Sequence, residues 1–203
     1  SLAETGRGMA GAAVLAARAA LHGGAGRVYL GVPESPASPE WDALQPELML
    51  RHVFALLDPA LLASLTVVAG CGGGSTMAGW LPTVLAQAAR LVLDADGLNA
   101  VAHDPVLQDV LRRRGWAHTV ITPHPLEAAR LLGSSTTDVM ADRLGAASEL
   151  AERLQVVCVL KGAGTVVASP GGTPWINASG NARLATAGTG DVLAGMVAAA
   201  LAR

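Results

Sequence analysis

Near the end of the chain, Ala187-Gly188-Thr189-Gly190-Asp191 combines glycines, a hydroxyl and a carboxylate just before an Ala- and Val-rich run. Unpaired N–H groups at a helix start, with the positive end of the dipole, make an anion site. Glycines there let a phosphate approach without a Cβ in the way. A carboxylate in such a place repels phosphate, unless its task is to take a proton from a hydroxyl that attacks a phosphoryl group. Asp191 is equally readable as an acidic first-turn residue favoured by the dipole. Lys161-Gly162-Ala163-Gly164-Thr165 reads as a hairpin turn whose backbone, hydroxyl and ammonium suit a nucleotide; it lacks the spacing of a Walker A loop. Thr122-Pro123-His124-Pro125-Leu126-Glu127 stiffens a loop around His124 with two prolines, as binding requires. Asp94-Ala95-Asp96 fits either water-mediated metal ligation or simple capping of the next segment. Asn177 to Asn181 fits a loop or a site wall.

These groups need elements to hold them. Met9 to Leu21 reads as an Ala-rich helix closed by Gly23-Gly24. A strand follows over Arg27 to Val32, then a proline-rich loop over residues 33–46. Leu65 to Ala69 is an apolar strand entering Gly70-Cys71-Gly72-Gly73-Gly74, with a helix over Ser75 to Ala88 whose continuity Pro82 interrupts. Leu91 to Leu93 is a strand delivering Asp94 and Asp96. Asp104-Pro105 opens a helix to Arg114, with Arg112-Arg113-Arg114 as its solvated end. His118 to Ile121 is a strand leading to the His124 loop, and helices follow over Leu126 to Leu132 and Asp138 to Leu154. Val156 to Leu160 is a strand that turns through Gly162 to Gly164 into a hairpin arm, Thr165 to Ala168. Pro170-Gly171-Gly172 turns again before a short piece at Trp175 to Asn177, and a last helix spans Thr189 to Ala202. Alternating strands and helices predict a mostly parallel α/β sheet covered on both faces, with a late β-hairpin. Ligands then gather at the carboxyl ends of the strands, where Gly70 to Gly74, Asp94 to Asn99, Thr122 to Glu127 and Lys161 to Thr165 meet.

Composition narrows the partners. The 203 residues suit one domain; 51% are hydrophobic, 15% charged and only 3% aromatic, which excludes disorder. No apolar run reaches the roughly 20 residues of a membrane span. A net charge of −2 without a basic patch points away from nucleic acid. Cys71 and Cys158 form neither metal spacing nor a disulfide framework, and no signal peptide opens the sequence, so a cytoplasmic setting is expected.

Taken in order, Leu93-Asp94-Ala95-Asp96-Gly97-Leu98-Asn99, Thr122-Pro123-His124-Pro125, Val159-Leu160-Lys161-Gly162-Ala163-Gly164-Thr165 and Asn181-Ala182 through Gly188-Thr189-Gly190-Asp191 carry a resemblance. The chain resembles the ADP/ATP-dependent NAD(P)H-hydrate dehydratases of the ribokinase-like superfamily over nearly its whole length. The resemblance implies one ribokinase-like three-layer sandwich over residues 1–203. It implies a lyase that repairs hydrated NADH or NADPH: Asp191 deprotonates the ring hydroxyl, ADP phosphorylates it, and phosphate leaves, giving AMP and phosphate. It assigns Ala12, Gly70, Gly72, His124 and Asp191 to the hydrated dinucleotide. Lys161, Gly162, Ala163, Gly164, Thr165, Gly188, Thr189 and Gly190 go to the adenine nucleotide. ADP is the expected donor, with ATP as the other choice, and Mg²⁺ is expected from nucleotide chemistry rather than from any ligand pattern. A homo-oligomer is also implied. Two other readings use the same residues: a small-alcohol kinase of thiamine-precursor type using ATP, and a nucleotide-binding module without turnover. The family pattern includes a strand and glycine–serine turn before Met9 and further helices after the one Asp191 opens, and these 203 residues contain neither. Gly70-Cys71-Gly72-Gly73-Gly74 stands where a GPGLG-like run is usual, and Leu126 where glycine is usual.

Overall fold

The structure, a computed structural model, describes residues 10–32 and 40–203. Met9 and the first half of the proline-rich loop lie outside them. The first helix, α1, spans Ala10–His22, and its chain returns as β1, Tyr29–Val32. β1 pairs in parallel with β2, Met49–His52, a strand that no alternation in the sequence announces. A one-turn helix α2, Pro59–Leu62, is capped by the Asp58 carboxylate and leads to β3, Thr66–Ala69. The predicted helix over Ser75 to Ala88 divides into a 3₁₀ turn, Ser75–Gly79, and α3, Leu81–Gln87. Pro82 sits in the first turn of α3, where its missing N–H costs nothing. β4, Arg90–Leu93, runs into α4, Ala95–His103, and Asp104 with Pro105 opens α5, Pro105–Arg113.

After β5, Thr119–Ile121, come α6, Pro125–Leu132, α7, Thr136–Ala141, and α8, Arg143–Leu154. α7 and α8 replace the single helix expected from Asp138, because Asp142 leaves helical geometry and caps the Gly145 N–H. β6, Val157–Leu160, β7, Val166–Ala168, and β8, Trp175–Ile176, complete the strands, and α9, Thr189–Leu201, closes the chain. Of the arginine triplet only the first two face solvent. Arg114 turns inward and donates to the carbonyls of Leu85 at 2.5 Å and Ala88 at 2.6 Å, closing the end of α3.

The larger sheet has order β3-β4-β5-β6-β7-β8, parallel from β3 to β6 and antiparallel through the expected hairpin to β8. Alternation along its strands feeds two cores. Val67, Ala69, Leu91, Leu93, Ile121, Cys158 and Leu160 pack with side chains of α3 to α8 on one face. Val68, Val92, Val120 and Val159 pack on the other with Ala16 of α1 and Ala194 and Ala198 of α9. The result is three layers, helices–sheet–helices. α1 and α9 lie side by side along a seam of small residues, where a Cβ on Gly195 would stand 2.1 Å from the Ala16 carbonyl oxygen. β1 and β2 form a separate two-stranded sheet. Between it and β3 lies a slot of about 230 Å³, lined by Arg27 to Tyr29 on one side, Leu65 to Val68 on the other, and alanines of α1 and α9.

Candidate active site

Because β3 to β6 are parallel and in register, the loops after them share one edge of the sheet. Backbone hydrogen bonds lock them together: Thr122 N–H donates to Leu93 O at 3.1 Å, and Lys161 N–H to Pro123 O at 2.8 Å. At the glycine loop, Gly70 has φ +117°, and a Cβ there would lie 1.8 Å from the Asp94 carbonyl oxygen, so only glycine lets the two turns touch. The Asp96 carboxylate accepts the Gly74 N–H at 2.9 Å and ties that loop to α4.

Asp94 is 2% exposed. Its Oδ1 accepts the Ala95 N–H at 2.9 Å and the Lys161 ammonium at 2.6 Å. Asp94 is thus the N-cap of α4. Among the described residues no group of three or more His, Cys, Asp or Glu side chains is arranged to hold a metal ion.

His124 caps α6, its Nδ1 accepting from the N–H groups of Leu126 and Glu127 at 3.2 and 3.3 Å. Glu127 closes the capping box by accepting the His124 N–H on Oε2 at 2.7 Å. The imidazole remains about half exposed at the rim, whereas the Glu127 side chain is buried, its Oε2 3.9 Å from the Lys161 Nζ. Burial pushes the Glu127 carboxyl above its ordinary range, against the pull of the His124 N–H and of Lys161.

The loop after β6 is held from outside. Arg143 donates to Ala163 O at 2.5 Å and Leu160 O at 3.2 Å, and the Thr165 hydroxyl donates to Gly162 O at 3.0 Å. Lys161 points inward while Gly162 and Ala163 face solvent. The start of α9 arrives directly above: a Cβ on Gly190 would lie 3.5 Å from the Lys161 Nζ and 3.8 Å from Asp94 Oδ2. Asp191 is half-buried here. Burial raises its carboxyl above the ordinary aspartate range; Asp94 raises it further, while Lys161 lowers it.

The structure thus brings Lys161, Gly190, Asp191 and Asp94 together, with the glycine loop and His124 on adjoining loops. Ala12 packs at the edge of the α1/α9 core. Thr189 spends its hydroxyl on Thr186 O at 2.9 Å. Residues 178–187, which include most of the Asn177 to Asn181 segment, are exposed. Sequence reading missed the Asp94–Lys161 pair, the role of Glu127 and the Arg143 clamp. The pair spans 67 positions, and no local pattern announces it.

The family model described as NAD(P)H-hydrate dehydratase matches residues 5–203. The chain is 40% identical over 198 residues to the ADP-dependent (S)-NAD(P)H-hydrate dehydratase of Neisseria meningitidis, covering 97% of this chain and 66% of that protein. It is 43% identical over 203 residues to the bifunctional NAD(P)H-hydrate repair enzyme of Gloeobacter violaceus, covering 95% of this chain but 38% of that one. The chain therefore spans just under two thirds of the first relative and well under half of the second. Among solved structures, the Bacillus subtilis ADP/ATP-dependent NAD(P)H-hydrate dehydratase, co-crystallised with ATP and Mg²⁺ and soaked with CoA, superposes with TM-score 0.74 at 29% identity over 98% of this chain and 72% of its own. A ribokinase-like superfamily protein of Enterococcus faecalis gives TM-score 0.77 at 26% identity over 99% of this chain and 70% of its own. The fold is ribokinase-like, and the family match over nearly the whole chain shows that it belongs to the NAD(P)H-hydrate dehydratase family.

Proposed function

We propose that this chain catalyses ADP-dependent dehydration of hydrated NADH or NADPH, with Asp191 as the base. The observation that carries the reading is the meeting of the Gly188 to Asp191 helix start with the Lys161–Asp94 pair. A carboxylate raised by burial, beside an ammonium and free helix N–H groups, can take a proton from an alcohol while a phosphoryl group is held within reach.

The chemistry follows from the leaving group. Hydration adds a hydrogen and a hydroxyl across a ring double bond, and hydroxide leaves poorly. Asp191 removes the hydroxyl proton, the oxygen attacks the terminal phosphoryl of ADP, and AMP departs. The ring nitrogen then expels phosphate, the neighbouring carbon gives up its proton, and the double bond returns. The sum is hydrate plus ADP giving dinucleotide, AMP and phosphate. Gly188 to Gly190 would hold the transferring phosphoryl with backbone N–H groups, and Lys161 would offset its charge. Gly162 to Thr165 would line the nucleotide side, while Ala12, Gly70, Gly72 and His124 would line the dinucleotide side. Mg²⁺ bound with the nucleotide would neutralise phosphate oxygens. The buried free thiols of Cys71 and Cys158 suit a cytoplasmic reaction.

The test is to incubate the protein with hydrated NADH and ADP or ATP while following nicotinamide absorbance and phosphate release. Stoichiometric recovery of NADH with phosphate and AMP is expected. A phosphorylated alcohol that accumulates would instead favour the small-alcohol kinase, and nucleotide binding without turnover would favour the binding module.

A further inference from the structure

Asp94, Glu127 and Asp191 face one edge of the sheet with a single ammonium, Lys161, among them. Lys161 is committed to Asp94 at 2.6 Å and stands 3.9 Å from Glu127 Oε2. The neighbouring guanidinium groups are used elsewhere: Arg143 of α8 on the carbonyls of Leu160 and Ala163, Arg130 of α6 on Asn99, and Arg153 of α8 on Leu132 O. Asp96 of α4 accepts from Gly74, and Asp138 of α7 is exposed and bonded to Ser135. His124, on the same loop, is the remaining titratable neighbour, its Nε2 3.3 Å from Glu127 Oε1.

Glu127 is an odd choice for a cap alone. Glutamine closes a capping box as well, and a carboxylate this buried costs free energy unless it is paired. Only Oε2 is needed for the cap, since it accepts the His124 N–H. Oε1 can therefore gain a proton without any backbone bond being lost. A polyphosphate seated on the start of α9 competes with both carboxylates for Lys161. When the ammonium turns to phosphate oxygens, Glu127 loses the one ammonium or guanidinium near it among the described residues.

We propose that Glu127 is a positioning residue that shares Lys161 with Asp94 in the free protein and frees it for a bound nucleoside polyphosphate by taking up a proton. The inference rests on the nucleotide reading of the Lys161 and Gly190 loops. Burial raises both carboxyls, but Glu127 is the more deeply buried of the two and takes the proton, which leaves Asp191 ionised as the base.

The experiment is calorimetric titration of the intact chain with ADP and Mg²⁺ between pH 5.5 and 8.5, in buffers of different ionisation enthalpy. Uptake approaching about one proton per nucleotide is expected, with the dissociation constant tightening by up to roughly tenfold per pH unit as pH falls through the linked range. Glu127→Gln keeps the cap acceptor and should lose that uptake and that slope, whereas Asp94→Asn should keep them. Binding with no proton linkage at any pH overturns the inference alone, as does linkage that survives in Glu127→Gln. Linkage lost in Asp94→Asn but kept in Glu127→Gln moves the proton to Asp94 and overturns it too. Failure of both ADP and ATP to bind would overturn the nucleotide reading and the inference with it.

Discussion

Replacing Gly195 by alanine sets two opposed effects against each other. In the interior of a helix, glycine to alanine ordinarily stabilises by about 1 kcal/mol. Here the new Cβ would lie 2.1 Å from the Ala16 carbonyl oxygen, 2.9 Å from its carbon and 3.0 Å from the Ala19 Cβ. The first two obstacles are backbone, so no rotamer relieves them, and α9 must move away from α1 by about 1 Å to restore ordinary contact. Overpacking of this kind costs about 1–3 kcal/mol or more, and separating the seam also loosens Ala16, Ala194 and Ala198, which share one core. The net expectation is destabilisation by about 1–3 kcal/mol, a fall in Tm of roughly 2–10 °C for a chain of this size. With Asp191 as the proposed base at the start of α9, a shift of that size would lower kcat by up to about a hundredfold. Gly11→Ala is the control. It makes the same change in α1, where a Cβ would meet nothing within 4 Å, and stability should hold or rise. Thermal and urea unfolding with kcat on the same samples decide the matter. A Gly195→Ala protein as stable and active as the wild type would refute the claim that the seam sets the position of α9.

Asp191→Asn should bind ADP within a few-fold of the wild type yet lose turnover by about a hundredfold to ten-thousandfold. In the wild type, kcat/KM should fall with decreasing pH through a midpoint above the ordinary aspartate range, because burial raises this carboxyl and the base works only when ionised. Its linkage to stability has the same origin and the opposite sense: a raised carboxyl pKa makes the folded state gain stability as pH falls from that raised value toward the ordinary one. Lys161→Met leaves Asp94 buried without a counter-charge and should cost about 3–5 kcal/mol in urea unfolding, most of it recovered on adding Asp94→Asn. Gly190→Ala meets only ordinary contacts, at 3.5 and 3.8 Å, so its Tm should hold or rise while ADP affinity, read by calorimetry, drops tenfold or more as the Cβ fills the approach to the backbone amides.

Strands and glycine loops were legible because their signals are local. Val67 to Ala69 and Leu91 to Leu93 are short apolar runs ending in turn residues, and the structure has them as β3 and β4. β2 was not legible: of Met49–His52 only Leu50 is buried, so the strand carries no alternation to read. α4 was hidden because Asp94-Ala95-Asp96-Gly97 spells a turn, and Ala95 does take a left-handed φ of +47° before the helix proceeds. The helix start at Gly188 to Asp191 could be read from residue types alone. Its setting could not, since Lys161 and Asp94 reach it only through strand register and Glu127 only through the turn of α6.

The slot between β1 and β3 lies at the opposite end of the sheet from Asp191, beside Leu65 and Thr66 rather than Gly70. A small molecule seated there against the wall of alanines would be a decoy in ligand discovery. A compound at a hundred times its dissociation constant there would stabilise the fold by about 2.7 kcal/mol without touching the chemistry. Thermal-shift hits on this protein should therefore be sorted by competition with ADP before any is called an inhibitor, and compounds that stabilise without competing would map the slot between the two sheets.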